Sequence, residues 1–90
     1  MSSLLNNYNR KKVSFVRGKG CYLYSADGKK YLDFVQGIAV NSFGHCHDYL
    51  VKTINKQSKK LWNVSNAFTI LEQERLAKRL TQNTFADYVA

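Results

Sequence analysis

The stretch CYLYSADGKKYLDF, residues 21–34, decides the fold of this chain. It sets the pair Asp27-Gly28 between two short runs rich in tyrosine and leucine, Cys21–Tyr24 and Lys30–Phe34. Aromatic residues favour strands. Asp-Gly between strand-like runs favours a hairpin, because glycine accepts a positive φ at no steric cost. These residues therefore predict two antiparallel strands joined by a tight turn, with Cys21 in the first of them.

Residues 13–20 extend this hairpin on its N-terminal side. Val13 and Phe15 are strand-like, and Arg17–Gly20 carries two glycines typical of a turn. A third strand before that turn would pair with the first strand of the hairpin. We therefore predict a three-stranded antiparallel meander over residues 13–34.

Two helical patterns follow, over residues 48–61 and from Thr69 to about Thr81. In the first, Asp48 is a candidate N-cap. In the second, Thr69 and Glu72 match a capping box, in which each side chain bonds the other residue's backbone N–H. Apolar residues recur at helical spacing in both. One face of the first helix carries Leu50, Val51, Ile54 and Leu61, and the predicted buried stripe of the second helix is Leu76, Ala77 and Leu80.

The chain is basic, with a formal net charge of +8. Such a charge admits nucleic acid or an anionic membrane as a partner. The basic residues are spread along the chain, however, which favours one part of a longer protein whose other parts balance the charge. The lysine stripe of the first helix is open to two interpretations, a solvated face, which we favour, and a phosphate-binding surface. Its members are Lys52, Lys56, Lys59 and Lys60.

Cysteine content and hydropathy limit the cellular compartments that fit this sequence. Two cysteines, Cys21 and Cys46, are too few for a disulfide framework. No apolar run is long enough to span a membrane, and the first residues do not resemble a secretion signal. The sequence therefore predicts a cytoplasmic protein with reduced thiols. Its aromatic residues, 13% of the chain, exceed what so small a core hides, which predicts a missing partner surface.

Three motifs point to a known family. They are YLDF at residues 31–34, VQGIAVNSFGHCH at 35–47 and LWNVSN at 61–66. In this order and spacing they resemble the N-terminal region of the class-III pyridoxal-phosphate-dependent aminotransferases, from about Ser14 to Val89. Within that family the chain is most similar to the acetylornithine aminotransferases.

The resemblance implies an α+β fragment, a three-stranded antiparallel meander followed by two helices, within the small domain of a fold-type I transferase. Residues 1–12 would be an N-terminal arm. Residues 13–90 would be the N-terminal part of that domain, truncated before the large cofactor-binding domain. The whole enzyme would be a homodimer in arginine biosynthesis. It would transfer an amino group from N-acetylornithine, or a related ω-amino donor, to 2-oxoglutarate.

Three departures limit what the resemblance carries over. Asp48 stands where the family has proline, and Asn63 where it has histidine. The chain is also expected to end before the family's phosphate-binding turn, and none of its lysines matches the one that holds pyridoxal 5'-phosphate. We therefore assign no catalytic, cofactor-binding or metal-binding residue. The cofactor is expected in the full-length enzyme and not in the fragment, which we expect to be inactive.

The resemblance does assign a substrate pocket. In the family, the loop at 37–41 borders the substrate entrance, and the segment at 64–68 lies near the active site at the dimer interface. Small apolar groups leave room for a long substrate, and asparagine can fix its polar end. The alternative is that Gly37 and Asn41 are only turn residues. The predicted lining residues are Ile38, Ala39, Val40, Asn41, Ser65, Asn66 and Phe68.

Other functions are less favoured by the residues. His45, Cys46 and His47 with Cys21 have zinc-ligating side chains, but no C-x-x-C pair is present. A Cys46–His45 nucleophile is disfavoured because adjacent side chains seldom reach each other. Two alternatives stay open beside the enzyme. One is a truncated relic of an aminotransferase, and the other is a small basic nucleic-acid-binding module, with nucleic acid an unlikely partner.

Overall fold

The computed structural model describes residues 2–90, so Met1 of the predicted arm lies outside the described residues. The chain divides into two compact units, one reaching to Asn55 and the other running from Lys56 to Ala90. Among residues 2–90, no helix combines the length and apolar character needed to cross a bilayer. The elements are β1 (Phe15–Lys19), β2 (Tyr22–Ser25), β3 (Lys30–Leu32), α1 (Gln36–Ala39), α2 (Asp48–Gln57) and α3 (Leu71–Asn83).

The predicted antiparallel meander is confirmed. β1 pairs with β2 and β2 with β3, in the sheet order β1-β2-β3. The β2–β3 hairpin closes where Ser25 N–H donates to the carbonyl of Lys29 at 2.9 Å. Gly28, at φ 85°, takes the left-handed position that such a loop reserves for glycine.

The side chain of Ser25 holds this hairpin loop together. It is the buried polar residue of the described chain, at 4% exposure. Its hydroxyl donates to the carboxylate of Asp27 and accepts the backbone N–H of Lys29 at 3.1 Å. The hydrogen bond from Ser25 is the main cause that lowers the pKa of Asp27. The loop is therefore defined by side-chain bonds as well as by glycine.

The turn predicted at Arg17–Gly20 is wrong in position. It lies at Gly20 and Cys21, so Cys21 stands outside β2. Gly20, at φ 56°, supplies the left-handed residue of the turn. Gly18 lies inside β1, where a Cβ would come within 2.7 Å of the Cγ of His45. That glycine is required for a close approach of two segments, and its presence misled the turn prediction.

The first long helix is shorter than predicted. α2 ends at Gln57, before the predicted limit at Leu61. Asp48 is the first residue of α2, where a negative charge suits the helix dipole. Its carboxylate accepts a hydrogen bond from the ammonium of Lys19 at 3.0 Å. This bond is the main cause that lowers the pKa of Asp48.

The capping box predicted for the last helix is wrong. α3 begins at Leu71 with Ile70 as its N-cap, and no side chain caps it. Thr69 therefore precedes the cap, too early to reach the N–H groups of the first turn. Glu72 and Glu74 instead place negative charge in that turn, which is favourable beside the helix dipole.

The apolar residues of the described chain remain at its surface. No hydrophobic residue among residues 2–90 is buried. The buried stripe predicted for the second helix is thus wrong for this chain alone, since Leu76 is 58% exposed. Both helices are amphipathic, yet neither contains a buried residue.

Candidate functional site

The loop between β3 and α2 begins with α1, a single turn whose residues have left-handed backbone conformations. Gln36, Ile38 and Ala39 have φ of 55°, 60° and 61°, and Gly37 has φ of 64°. The left-handed conformation costs an L-residue roughly 1–2 kcal/mol. Such strain persists only where surrounding contacts determine it, and it gathers at functional sites. Sequence periodicity predicted only an irregular loop here, because the 36–39 turn is too short to show a period.

One carboxylate ties the start of this loop to its end. Asp33 Oδ1 accepts the backbone N–H groups of Val35 and Gln36, each at 2.9 Å. Asp33 Oδ2 lies 2.6 Å from Nε2 of His45, twelve residues away in the chain. The two side chains are 6% and 18% exposed. Asp33 therefore fixes both ends of the loop from one point at the end of the sheet.

His45 is also held through its backbone. Its N–H donates to the carbonyl of Gly20 at 2.8 Å, and the N–H of Gly20 donates back to His45 at 3.0 Å. Gly18 presents bare backbone to the Cβ and Cγ of the histidine. The imidazole therefore lies between β1 and Asp33, with little room to shift.

These contacts favour the ionised carboxylate of Asp33. The N–H of Gln36 is the main cause that lowers the pKa of Asp33, and the hydrogen bond from His45 adds to it, while desolvation opposes both. A lowered carboxyl pKa means that protonation is harder in the folded state than in the unfolded chain. The stabilisation is thus fully present above the unfolded pKa, and it is lost as the pH falls through the lower folded value.

The loop borders two depressions in the surface of the first unit. One is a cleft of about 220 Å³ beside Asn41, Phe43 and His45. The other is a wider, mostly apolar groove of about 530 Å³ beside Phe15 and Tyr31, whose rings meet edge to face at 5.4 Å. The Asp33–His45 pair lines both, so it lies on the wall that separates the two depressions.

The loop half of the predicted pocket lies together in this structure. Ile38 and Val40 are 86% and 75% exposed, and Ala39 stands between them. Asn41 is half-buried, and its backbone carbonyl accepts the N–H of Gly44 at 2.9 Å. The apolar side chains are therefore held outward on a backbone that is itself well anchored.

The other half of the predicted pocket lies in the second unit. Ser65 has φ of 69°, its N–H donates to the side chain of Asn63 at 2.7 Å, and its hydroxyl accepts from Ala67 at 3.3 Å. Asn66 lies in the same turn, and Phe68 is 68% exposed. This segment is thus shaped by short-range bonds. The assignment of both segments to one pocket stays a prediction.

No lysine among residues 2–90 stands in the setting typical of one that holds pyridoxal phosphate. A lysine that holds this cofactor is typically desolvated, because burial lowers its pKa and frees its amine. Every lysine among residues 2–90 is exposed. No group of His, Cys, Asp or Glu within the same residues is arranged to hold a metal ion. No step of chemistry is therefore assigned to a group bound by these residues.

Sequence reasoning missed the anchoring role of Asp33 and Gly18, and weighed His45 only as a metal ligand or base. The signal was present in part. An aspartate directly after a strand, followed by a glycine-containing loop, favours side-chain bonds to the next backbone N–H groups. Its pairing with a histidine twelve residues on required the tertiary structure.

The sequence of this chain is similar to that of known proteins. Residues 5–90 match the family model described as Aminotransferase class-III. The acetylornithine aminotransferase of Brucella suis biovar 1 is 50% identical over 86 residues, which cover 96% of this chain and 21% of the relative. That of Rhodobacter capsulatus is 52% identical over 89 residues, covering 99% of this chain and 23% of the relative. The chain thus spans about a fifth of the length of the curated relatives it matches.

Solved structures agree with the sequence relatives. The N-acetylornithine aminotransferase of Stenotrophomonas maltophilia superposes with a TM-score of 0.76 at 33% identity, covering 83% of this chain and 21% of that one. The ornithine delta-aminotransferase of Plasmodium falciparum superposes with a TM-score of 0.87 at 30% identity, covering 93% of this chain and 22% of that one. The meander and the helices that follow it therefore occur in the same chain order in those aminotransferases.

Proposed function

The chain belongs to the class-III aminotransferase family, and we propose that its gene product transfers an amino group from N-acetylornithine to 2-oxoglutarate. The observation that carries the proposal is the identity of about 50% to acetylornithine aminotransferases over nearly the whole chain. A related ω-amino donor is the nearest alternative, since ornithine aminotransferases are also structural neighbours. The corresponding pathway is arginine biosynthesis, in the cytoplasm.

The loop residues of this chain would form one wall of the substrate pocket. Ile38, Ala39 and Val40 offer apolar surface along which the methylene chain of the donor can lie. Asn41 carries a donor and an acceptor for a polar group at the far end of that chain. Ser65, Asn66 and Phe68 would complete the pocket at the subunit interface of a homodimer. The proposed role of all seven residues is binding and orientation.

The cofactor of this reaction is proposed to be pyridoxal 5'-phosphate, held by residues other than 2–90. When bound, it serves as the electron sink for proton movement at the substrate carbon. The described residues supply walls and orientation only, so the ninety-residue chain is proposed to be inactive by itself. Residues 1–12 would be an arm, and residues 13–90 the start of the small domain.

Exposed apolar surface supports a larger assembly. Phe34, Trp62 and Phe85 are among the side chains left open to solvent, at 87%, 86% and 102% exposure. The proposed partners of this surface are the remainder of the aminotransferase polypeptide and a second subunit.

Enzyme assays on the complete gene product test the proposal. The purified protein is supplied with pyridoxal phosphate and 2-oxoglutarate, and glutamate formation is followed with N-acetylornithine, ornithine, N-succinylornithine and 4-aminobutyrate. We expect kcat/KM to be highest for N-acetylornithine, by about tenfold or more over ornithine. Higher kcat/KM for another donor would reassign the substrate.

The same preparation separates the enzyme from its alternatives. Absence of transfer with all four donors would favour a relic. Salt-sensitive binding to RNA or DNA would favour the basic binding module, to which the exposed lysines of α2 and the +8 charge would then belong. The ninety-residue chain, assayed in parallel, is expected to give no glutamate.

A further inference from the structure

The geometry points to Asp33 and His45 as positioning residues that set the place of the substrate-binding loop and thereby the affinity for the amino donor. The inference rests on the proposed function for what the loop binds. It rests on the contacts of the first unit for how the loop is held. Neither residue is proposed to touch the substrate or to move a proton in the reaction.

A closed circuit of hydrogen bonds, here called the anchoring ring, carries the inference. Asp33 Oδ1 accepts from Gln36 N–H at 2.9 Å, and the Gln36 carbonyl accepts from Asn41 N–H at 3.0 Å. The Asn41 carbonyl accepts from Gly44 N–H at 2.9 Å. The peptide from Gly44 leads to His45, whose Nε2 returns to Asp33 Oδ2 at 2.6 Å. The ring therefore encloses the loop from its first residue to its last.

The predicted pocket residues stand on this ring. Asn41 belongs to it directly, and Val40 is joined to it because its N–H donates to the Gln36 carbonyl at 2.9 Å. Ile38 and Ala39 lie between Gln36 and Val40, in the left-handed turn. If the Asp33 contact is lost, that strained turn loses the bond that determines it. The pocket wall would then relax toward a cheaper backbone conformation.

Gly18 gives the ring a rigid backing. The side chain of His45 is confined between the backbone of Gly18 and the carboxylate of Asp33, so a Cβ at position 18 must displace its imidazole. Position 18 therefore offers a way to break the Asp33–His45 contact while leaving both residues in place. Gly28, in the β2–β3 hairpin and without a contact to His45, is the control, because a Cβ there meets nothing within 4 Å although its φ is unfavourable for alanine.

The test compares variants of the complete gene product. Asp33→Ala removes every bond of the carboxylate, whereas Asp33→Asn keeps an acceptor for Gln36 N–H and loses the charge facing His45. Gly18→Ala displaces His45 by steric contact. Asp27→Asn and Gly28→Ala, both in the β2–β3 hairpin, are controls and should keep the KM of the parent. KM and kcat for N-acetylornithine, bound-cofactor absorbance and the amide exchange rates of Gln36 and Asn41 are measured on each.

A positioning role predicts a split between KM and kcat. For Asp33→Ala and Gly18→Ala we expect KM to rise about tenfold with kcat changed about twofold or less. Amide exchange at Gln36 and Asn41 should quicken, while cofactor absorbance stays as in the parent. Asp33→Asn should fall between these variants and the parent, and Asp27→Asn should match the parent.

Three results would overturn the inference. The first is faster amide exchange with unchanged KM, which would mean that the loop position does not matter to binding. The second is loss of cofactor absorbance together with kcat, which would mean that the ring supports the cofactor site. The third is amide exchange at Gln36 and Asn41 that stays as in the parent in both Asp33→Asn and Gly18→Ala. These two variants decide the case if Asp33→Ala fails to fold. A parent protein without transferase activity would refute the proposed function instead, while the exchange rates would still test the ring.

Discussion

The two units of this chain are held by different kinds of bond. In the first, contacts join distant parts of the sequence: Asp33 meets His45, and Lys19 meets Asp48 at 29 residues' separation. In the second, the side-chain bonds are local, as where Trp62 Nε1 donates to the Ser58 carbonyl at 2.6 Å, four residues back. The first unit therefore defines its own tertiary geometry. The second has secondary structure whose packing we propose to depend on other surfaces.

The largest expected effect would test that dependence. In the complete gene product, Leu76→Ala on α3 should lower the free energy of unfolding by about 2–5 kcal/mol, as for a residue that has become buried. Lys78→Ala on the same helix should change it by about 0.5 kcal/mol or less. Both are measured by denaturant unfolding. Equal, small effects would mean that the apolar side of α3 stays uncovered, against the proposed partner surface.

A smaller effect on stability is expected from removing single serine hydroxyls, one that is buried and one that is exposed. Ser25→Ala removes the hydroxyl that closes the β2–β3 hairpin and should cost about 1–2 kcal/mol. Ser65→Ala removes an exposed hydroxyl at 3.3 Å from its donor and should cost about 0.5 kcal/mol or less. Thermal unfolding of the two variants of the complete gene product compares them. A larger loss for Ser65 would show that its segment is buried in the assembly.

The smallest expected effect is a pH dependence of the first unit. Since its contacts lower the pKa of Asp33, their stabilisation is complete above the unfolded pKa of about 3.9 and is lost as the pH falls through the lower folded pKa. The stability difference between the parent and Asp33→Asn should thus stay constant from about pH 5 to 8 and narrow below about pH 4. Unfolding curves across that range measure it. A difference that varied between pH 5 and 8 would implicate another titrating group.

Sequence patterns predicted elements better than they predicted contacts. The tyrosine-rich runs around Asp27-Gly28 were enough for the meander, because a hairpin is encoded by neighbouring residues. The capping box at Thr69 matched a local pattern, yet the helix begins later, at Leu71. The turn assigned near Gly18 failed for a related reason. Glycine has two uses, a special φ and a close approach, and the sequence does not distinguish them.

The candidate site also has features that were predicted from the sequence and features that were not. The resemblance named the 38–41 loop and the 65–68 segment as pocket walls, and these remain predictions about function. It could not indicate the left-handed turn at Gln36–Ala39 or the carboxylate that anchors it. Those features arise because Asp33 and His45, remote in sequence, meet at the end of the sheet.

Local patterns and ordered motifs were enough to predict the order of strands and helices and the family. The residues that hold the loop and the apolar surfaces that remain open became evident only in the folded chain. The physical reason is that hydrogen bonds and burial depend on distances between residues far apart in the chain, which no local pattern contains. Asp33 shows both halves: the strand that leads to it was predicted from the sequence, and its place after that strand and its contact with His45 were not.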